Sequence, residues 1–429
     1  MLYDRWRQIA RDFPDELALY DAASNRRWTF AQLAAEVEAA RSSESGAQIA
    51  YPQGNSVGFV LAVLRAWRAN QVVCPLEPDQ PAPSLEKVPS GIVHLKTTSA
   101  TSGQSRLVAF TGAQLVADAE NIVTTMGLRR DQPNLGVISL AHSYGFSNLV
   151  TPLLLHGIPL ILAASPLPES VLQAAAMFPN IALPAVPAMW RAWQAANAIP
   201  KHVKLAISAG APLPLPLEQA IFAQRGLKIH NFYGASECGG IAYDASAVPR
   251  SDAACVGAAM RNISLSIAED GCLAVQSRAV AEGYLTNGGL VAGDPVLRPG
   301  CFRTSDLAEF KEDQVFLCGR AGDLINVAGR KVFPETVERV LLQHAGVKEC
   351  LVLGVPSADV ARGDEILAVV VSREREEMLR RHVLAALPAW QSPRHWWFVE
   401  ALQTNARGKL SRMEWRGRWL EKVARVEDG

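Results

Sequence analysis

Between Gly91 and Gly234, short apolar runs alternate with segments of helical length. LGVISLA (Leu135–Ala141), PLILA (Pro159–Ala163), IALPAV, VKLAISAG and KIHNFYG are each long enough for one strand. This alternation predicts βαβ units around a parallel sheet and so an α/β fold. Thr111 is placed to cap a helix through Leu115, Ala119, Ile122, Val123 and Met126, apolar residues at amphipathic spacing. After about Ala308 the pattern changes to short strands around Gly319 to Val332, a helix with Val337, Val340, Leu341 and His344 on one face, then two strands and another helix. That tail is of ordinary domain size. The expected domains are residues 1–319 and 320–429, joined by a tight hinge near Gly319 to Asp323. The stretch PLEPDQPAPSLEKVP (Pro75–Pro89) reads as an irregular connection.

Composition excludes several classes. The 429 residues carry 42 Lys+Arg against 42 Asp+Glu, so no single-signed field points to a nucleic-acid or anionic-membrane partner. At 49% hydrophobic and 20% charged the chain lies far from the disordered regime. Seven scattered cysteines contain no C-x-x-C pair and read as reduced thiols, which with the absence of an apolar leader leads to the expectation of a cytoplasmic protein. The most apolar stretch, Asn148–Leu162, is too short to cross a membrane and contains two prolines.

Five segments carry groups with chemical potential. TTSATSGQSR (Thr97–Arg106) places hydroxyls and a glycine between two β-like runs, a way of aiming donors at phosphate oxygens, although such clusters are commonly plain turns. It is not a P-loop, since G-x-x-x-x-G-K-[ST] is absent. YGASE (Tyr233–Glu237) puts a carboxylate at the end of a strand, where ligands gather in open α/β sheets and where Mg²⁺ could be held. Asp306, in FRTSDLAEF, could accept from both hydroxyls of a ribose or equally satisfy its own turn. GRAGDLINVAGRKVFPETVE (Gly319–Glu338) contributes Arg320 and two turns, and NARGKLSR (Asn405–Arg412) sets Lys409 in a loop.

Together and in this order, with RAWRANQVVCPLEP before them and AHSYGF among them, the segments resemble the adenylate-forming superfamily of acyl- and aryl-CoA synthetases, nonribosomal adenylation domains and luciferases. The resemblance implies a large N-terminal domain of α/β layers with mostly parallel sheets and a small, mobile α+β C-terminal domain. It further implies a two-step reaction: a carboxylic acid and ATP give an acyl adenylate and pyrophosphate, and a thiol then takes the acyl group. The cofactors implied are ATP, Mg²⁺ and coenzyme A, or the phosphopantetheine of a carrier protein in place of the last.

Carried over by position, Thr98, Ser99, Thr101, Ser102 and Gly103 become the phosphate loop. Glu237 becomes the Mg²⁺ ligand, with Ser236 near the α-phosphate. Gly210, Ala211, Pro212, Tyr233 and Gly234 flank the adenine, and Asp306 and Arg320 bind the ribose. His142, Tyr144, Gly145, Val186, Gly239 and Gly240 line the acyl pocket, with His142 as its gate. Lys409 becomes the adenylation lysine, Gly322 the hinge, and Val327, Ala328 and Gly329 the channel for the pantetheine arm. A cation between two reacting anions stabilises the transition state more than the ground state, which is the physical reason for a lysine in that role.

The chain departs from the family at Ala100, where a glycine is usual, and at Ser105, Arg106 and Leu107 in place of Pro-Lys-Gly. It is also short, with about twenty residues between Pro75 and Thr97 where relatives insert a further βαβα-sized piece, on the βαβ size rule. The pocket residues are mostly apolar, which favours a fatty or aromatic acid over an α-amino acid. Two competing readings follow from the same residues. GASEC (Gly234–Cys238), with Asp306 and His344 after it, nearly spells a serine-hydrolase elbow, and the shortened domain would suit a non-catalytic acyl- or nucleotide-binding descendant.

Overall fold

The computed structural model describes all residues except 41–47, 86, 99–105, 288, 358–362, 404–409 and 428–429. The chain divides into two compact units. One comprises Met1–Ser266, Ala274–Arg303 and Phe310–Val315, and the other Ile267–Leu273, Thr304–Glu309 and Phe316–Gly429.

In the first unit the apolar runs become strands of one sheet. Its path runs Cys255–Ala259, Gly239–Tyr243, Ile229–Ala235, Val203–Ser208, Ile181–Ala185, Asn134–Gly136, Leu160–Leu162, Leu17–Asp21 and Arg26–Thr29. The neighbours from Ile229–Ala235 through to Leu17–Asp21 are parallel, as the βαβ grammar requires, and antiparallel pairs close both ends of this path. Strand Ile181–Ala185 is buried at every position, the mark of a parallel strand covered on both faces. A second sheet contains Ile92–Thr97 and Leu107–Thr111 as an antiparallel pair, with Gly283–Thr286 beside the latter. The helix Gly112–Met126 starts as the sequence predicts: Thr111 accepts from the Gln114 N–H, and the Gln114 side chain accepts from the Thr111 N–H at 2.7 Å. This capping box satisfies two helix-end donors at once.

The apolar stretch Asn148–Leu162 is core. Its residues begin in a π-helix, Phe146–Val150, pass through Thr151–His156, and turn at Gly157, whose φ of 69° is the left-handed conformation glycine adopts most easily, into strand Leu160–Leu162.

The second unit is α+β. Hairpin Ile325–Val327/Arg330–Val332 precedes helix Pro334–Gln343, which buries Val337, Val340 and Leu341; His344 lies just past the helix end in extended conformation. Strands Val347–Pro356, Asp364–Ser372 and His395–Phe398 form a three-stranded sheet. Period-two alternation sends Val352, Ile366, Ala368 and Val370 to one core with helices Pro334–Gln343 and Glu376–Ala386, and Leu351, Leu353, Leu367 and Val369 to another under Trp415 of helix Arg412–Glu427. Arg412 pins that last helix: its guanidinium bonds Asp323 at 2.7 Å, Glu335 at 2.9 Å and Glu338 at 2.8 Å.

Candidate functional site

Four neighbouring parallel strands deliver their carboxyl ends to the same side of the first unit's sheet. Asn134–Gly136 leads to His142, Ile181–Ala185 to Val186, Val203–Ser208 to Gly210–Pro212, and Ile229–Ala235 to Ser236 and Glu237. This is where open α/β sheets bind ligands, because the strand ends leave a crevice bordered by loops.

Glu237 sits in the tight connection between Ile229–Ala235 and the antiparallel strand Gly239–Tyr243. Glycines make that connection possible: a Cβ on Gly234 would lie 2.6 Å from the Gly239 carbonyl oxygen, and Gly239 has φ of +72°. Tyr284 donates its hydroxyl to Glu237 Oε1 at 3.1 Å, and the Ala281 N–H donates to the Glu237 carbonyl at 2.9 Å. Arg106 stacks over the Tyr284 ring with its guanidinium carbon 5.0 Å from the centroid. Burial raises the pKa of Glu237 above its ordinary value, with the Tyr284 hydrogen bond opposing the shift. Because Ser236 is followed by a strand instead of a helix, the strand–turn–helix elbow of a serine hydrolase is not formed here.

The segment with the phosphate-loop resemblance connects the antiparallel strands Ile92–Thr97 and Leu107–Thr111. Its base is closed by Thr98 and Arg106: the Thr98 N–H donates to the Arg106 carbonyl at 2.9 Å, and the Arg106 N–H to Thr98 Oγ1 at 3.1 Å. Ser99, Thr101, Ser102 and Gly103 lie outside the described residues, as does Lys409.

The expected acyl-site residues are brought together in part. The Tyr144 hydroxyl donates to the Ala185 carbonyl at 3.4 Å, next to Val186, and its ring packs against Phe232 at 5.8 Å. Gly210, at φ of +85°, would place a Cβ 3.5 Å from Val186. Gly145 packs against the backbone of Ser139, where no Cβ fits. Gly240 allows the close approach of Met260 and Phe232. Ala211 and Pro212 are exposed, and Tyr233 is half-buried. His142 is half-exposed, with Nε2 3.3 Å from Glu77 Oε1, and Ser139 also donates to that oxygen. Glu77, present in the sequence only as part of PLEP, thus stands beside His142, a meeting that no local sequence signal announces.

In the second unit Arg320 Nε donates to Asp306 Oδ1 at 3.1 Å. The two residues expected to share a ribose are therefore paired with each other. Val327 ends the first strand of its hairpin, and Ala328 and Gly329 form the two-residue turn with φ of 51° and 80°. Gly322 lies in a short 3₁₀ turn, and a Cβ added there would meet nothing within 4 Å.

The donor set can be tested against the expected divalent cation. Among the described residues no group of three or more His, Cys, Asp or Glu forms a metal cage. Glu237 instead offers one carboxylate, disfavoured as an anion by burial. Mg²⁺ commonly binds through one or two carboxylates, with substrate phosphates and water completing the octahedron. The residues present fit a cation that arrives with a nucleotide.

The sequence profile described as AMP-binding enzyme matches residues 86–289, and that described as AMP-binding enzyme C-terminal domain matches residues 336–409. The chain is 27% identical over 345 residues to a probable 2-succinylbenzoate–CoA ligase of Mycobacterium tuberculosis, covering 76% of this chain and 84% of that protein. It is 28% identical over 360 residues to a sulfoacetate–CoA ligase of Cupriavidus necator, covering 79% of this chain and 68% of that protein. Among solved structures, ATP-bound MatB from Rhodopseudomonas palustris superposes with a TM-score of 0.83 at 20% identity, covering 98% of this chain and 99% of that one. The o-succinylbenzoate CoA synthetase MenE of Bacillus subtilis, solved with an acyl-adenylate intermediate, gives 0.79 at 21% identity, covering 96% and 97%. Among the described residues no helix is long and apolar enough to cross a membrane.

Proposed function

The chain belongs to the AMP-binding enzyme family of adenylate-forming proteins, and from that premise we propose that it activates a fatty or aromatic carboxylic acid with ATP and transfers the acyl group to coenzyme A. The observation that carries this reading is the gathering of Glu237, Tyr233, Gly210–Pro212, Val186 and the His142–Gly145 segment at the carboxyl ends of adjacent parallel strands. In the first step an oxygen of the acid attacks the α-phosphorus; the new O–P bond forms as the bond to pyrophosphate breaks. In the second, a thiolate attacks the acyl carbon and AMP leaves.

Each group has a stated task. Glu237 would hold Mg²⁺, which when bound would screen the triphosphate and assist pyrophosphate as a leaving group. Tyr284 keeps the carboxylate oriented, and Arg106 brings a cation to the base of the phosphate loop. Asp306 accepts from the ribose, with Arg320 fixing it. Tyr144, Val186, Gly239 and Gly240 provide an apolar wall, which suits an acyl chain or ring. Lys409 supplies the cation between carboxylate and phosphate, and Val327–Gly329 a narrow approach for pantetheine.

A hydroxylamine-trapping assay with Mg-ATP and a panel of fatty, aryl and amino acids, each with and without CoA, tests the proposal. Hydroxamate with fatty or aryl acids, accelerated by CoA, is the expected result. Activation without a response to CoA points to a carrier-protein thiol as acceptor. ATP binding with no acid activated overturns the reading in favour of a binding protein. Lys409→Ala should reduce adenylate formation by about a hundredfold or more while ATP still binds; undiminished turnover removes the lysine from its role.

A further inference from the structure

Strand Ile92–Thr97 turns two ionisable side chains, His94 and Lys96, into the core of the first unit. Lys96 is 4% exposed. Its ammonium donates to Ser147 Oγ at 3.1 Å, lies 3.9 Å from Asp118 Oδ2, and faces the Phe110 ring at 4.7 Å. Ser147 donates its own hydroxyl proton to Asp118 Oδ2 at 2.6 Å. The other carboxylate oxygen, Oδ1, accepts the Gly240 N–H at 3.2 Å. A Cβ on Gly239 would overlap that same oxygen, so the carboxylate is pressed against the backbone that follows Glu237.

These contacts join three parts of the site. Lys96 lies two residues before Thr98, at the start of the phosphate loop; Ser147 lies two residues after Gly145, on the π-helix; Gly240 lies just past the Glu237 turn. Burying polar and charged groups this deeply is costly unless they are paired and hydrogen-bonded, as these are. Burial pushes the Lys96 ammonium toward neutrality and Asp118 opposes that shift. The Asp118 carboxylate therefore favours the charged form of Lys96.

We propose that Lys96, Ser147 and Asp118 form a buried positioning relay that holds the Glu237–Gly240 turn in register with the strand entering the phosphate loop. The inference rests on the adenylation reading above, with Glu237 facing the metal and Gly239 and Gly240 facing the acyl group. None of the three relay residues touches substrate. They act through the Gly240 amide, which is why an apolar replacement that restores packing does not restore the turn.

The experiment compares full-length wild type with Lys96→Met, Lys96→Met/Asp118→Asn and Lys96→Met/Asp118→Leu. Thermal midpoint, hydrogen exchange at the Gly240 amide, and kcat/KM with its Mg²⁺ requirement are followed. Lys96→Met leaves a lone buried anion and should lose both stability and activity. The Met/Asn pair removes both charges but keeps an acceptor for Gly240, and should recover stability and most of the activity. The Met/Leu pair should recover stability, yet exchange at Gly240 rapidly and remain about 10–100-fold below wild type in kcat/KM, as outer-shell losses typically do. Wild-type kcat/KM or wild-type protection of Gly240 in the Met/Leu pair overturns the relay. If wild type activates no acid, the adenylation reading falls, and Gly240 exchange alone decides whether Asp118 anchors the turn.

Discussion

The hydrogen bond from Tyr284 to Glu237 has a direct consequence for titration. Burial raises the Glu237 pKa, so in the folded protein this carboxyl favours its protonated form. Its contribution to stability is therefore complete below the unfolded value and is lost as pH rises through the raised folded value. The proposed metal binding by Glu237 would need the ionised form, so under that proposal activity should rise through the same raised pKa. The Tyr284 hydroxyl favours the ionised form, and Tyr284→Phe should move the acid limb of log kcat/KM to higher pH and raise the Mg²⁺ requirement. An acid limb that stays in place would remove Tyr284 from that role. Asp306 offers a contrasting case, because Arg320 already occupies one of its oxygens. Asp306→Ala should weaken nucleotide binding in a fluorescent-ATP titration by roughly tenfold, the cost of a charge-assisted hydrogen bond; equal affinity removes the ribose role.

At the scale of elements, the hairpin Ile325–Val332 carries a measurable strain. Ala328 has φ of 51°, a conformation that costs a residue with a Cβ about 1 kcal/mol relative to glycine. Ala328→Gly should raise the urea midpoint of the second unit accordingly, and an unchanged or lower midpoint would mean that unfolded-state entropy cancels the relief. The hairpin's turn is legible from Gly329 alone, since glycine next to a β-like run signals a turn without stating its partner strand. The helix at Thr111 is readable in full, because a cap and an apolar period are both local. The pairing of the strands on either side of residues 98–106 is not. Strands Ile92–Thr97 and Leu107–Thr111 are legible as β-like runs, yet nothing local states that they pair antiparallel with each other.

At the scale of the molecule, the second unit is organised around Arg412 and the residues it holds, three positions beyond Lys409. Gly322 adjoins Asp323, one of those partners, and has neither a left-handed φ nor a neighbour that a methyl would strike. Gly322→Ala should therefore fold, with a gain of about 0.4–1 kcal/mol from a stiffer unfolded chain. If glycine's freedom serves domain alternation, the CoA-dependent step should slow several-fold while hydroxamate formation holds. Equal rates in both steps, before and after the change, would place the hinge elsewhere.

What the order of residues determines by itself is the part governed by local chemistry. It includes the alternation that makes a parallel sheet, the cap at Thr111, the change to short strands and helices after about Ala308, and the family resemblance carried by YGASE and its companions. Those signals survive in one dimension because each depends on neighbours a few positions apart. The tertiary structure decided which distant side chains meet: Tyr284 with Glu237, Glu77 with His142, and Lys96 with Ser147 and Asp118. Lys96 reads as a solvated residue in any linear scan, since lysine is seldom buried. Only a folded core that supplies Asp118 as its counter-charge can hold it there, and no spacing rule encodes a pairing between a strand residue and a helix residue that packing alone brings together.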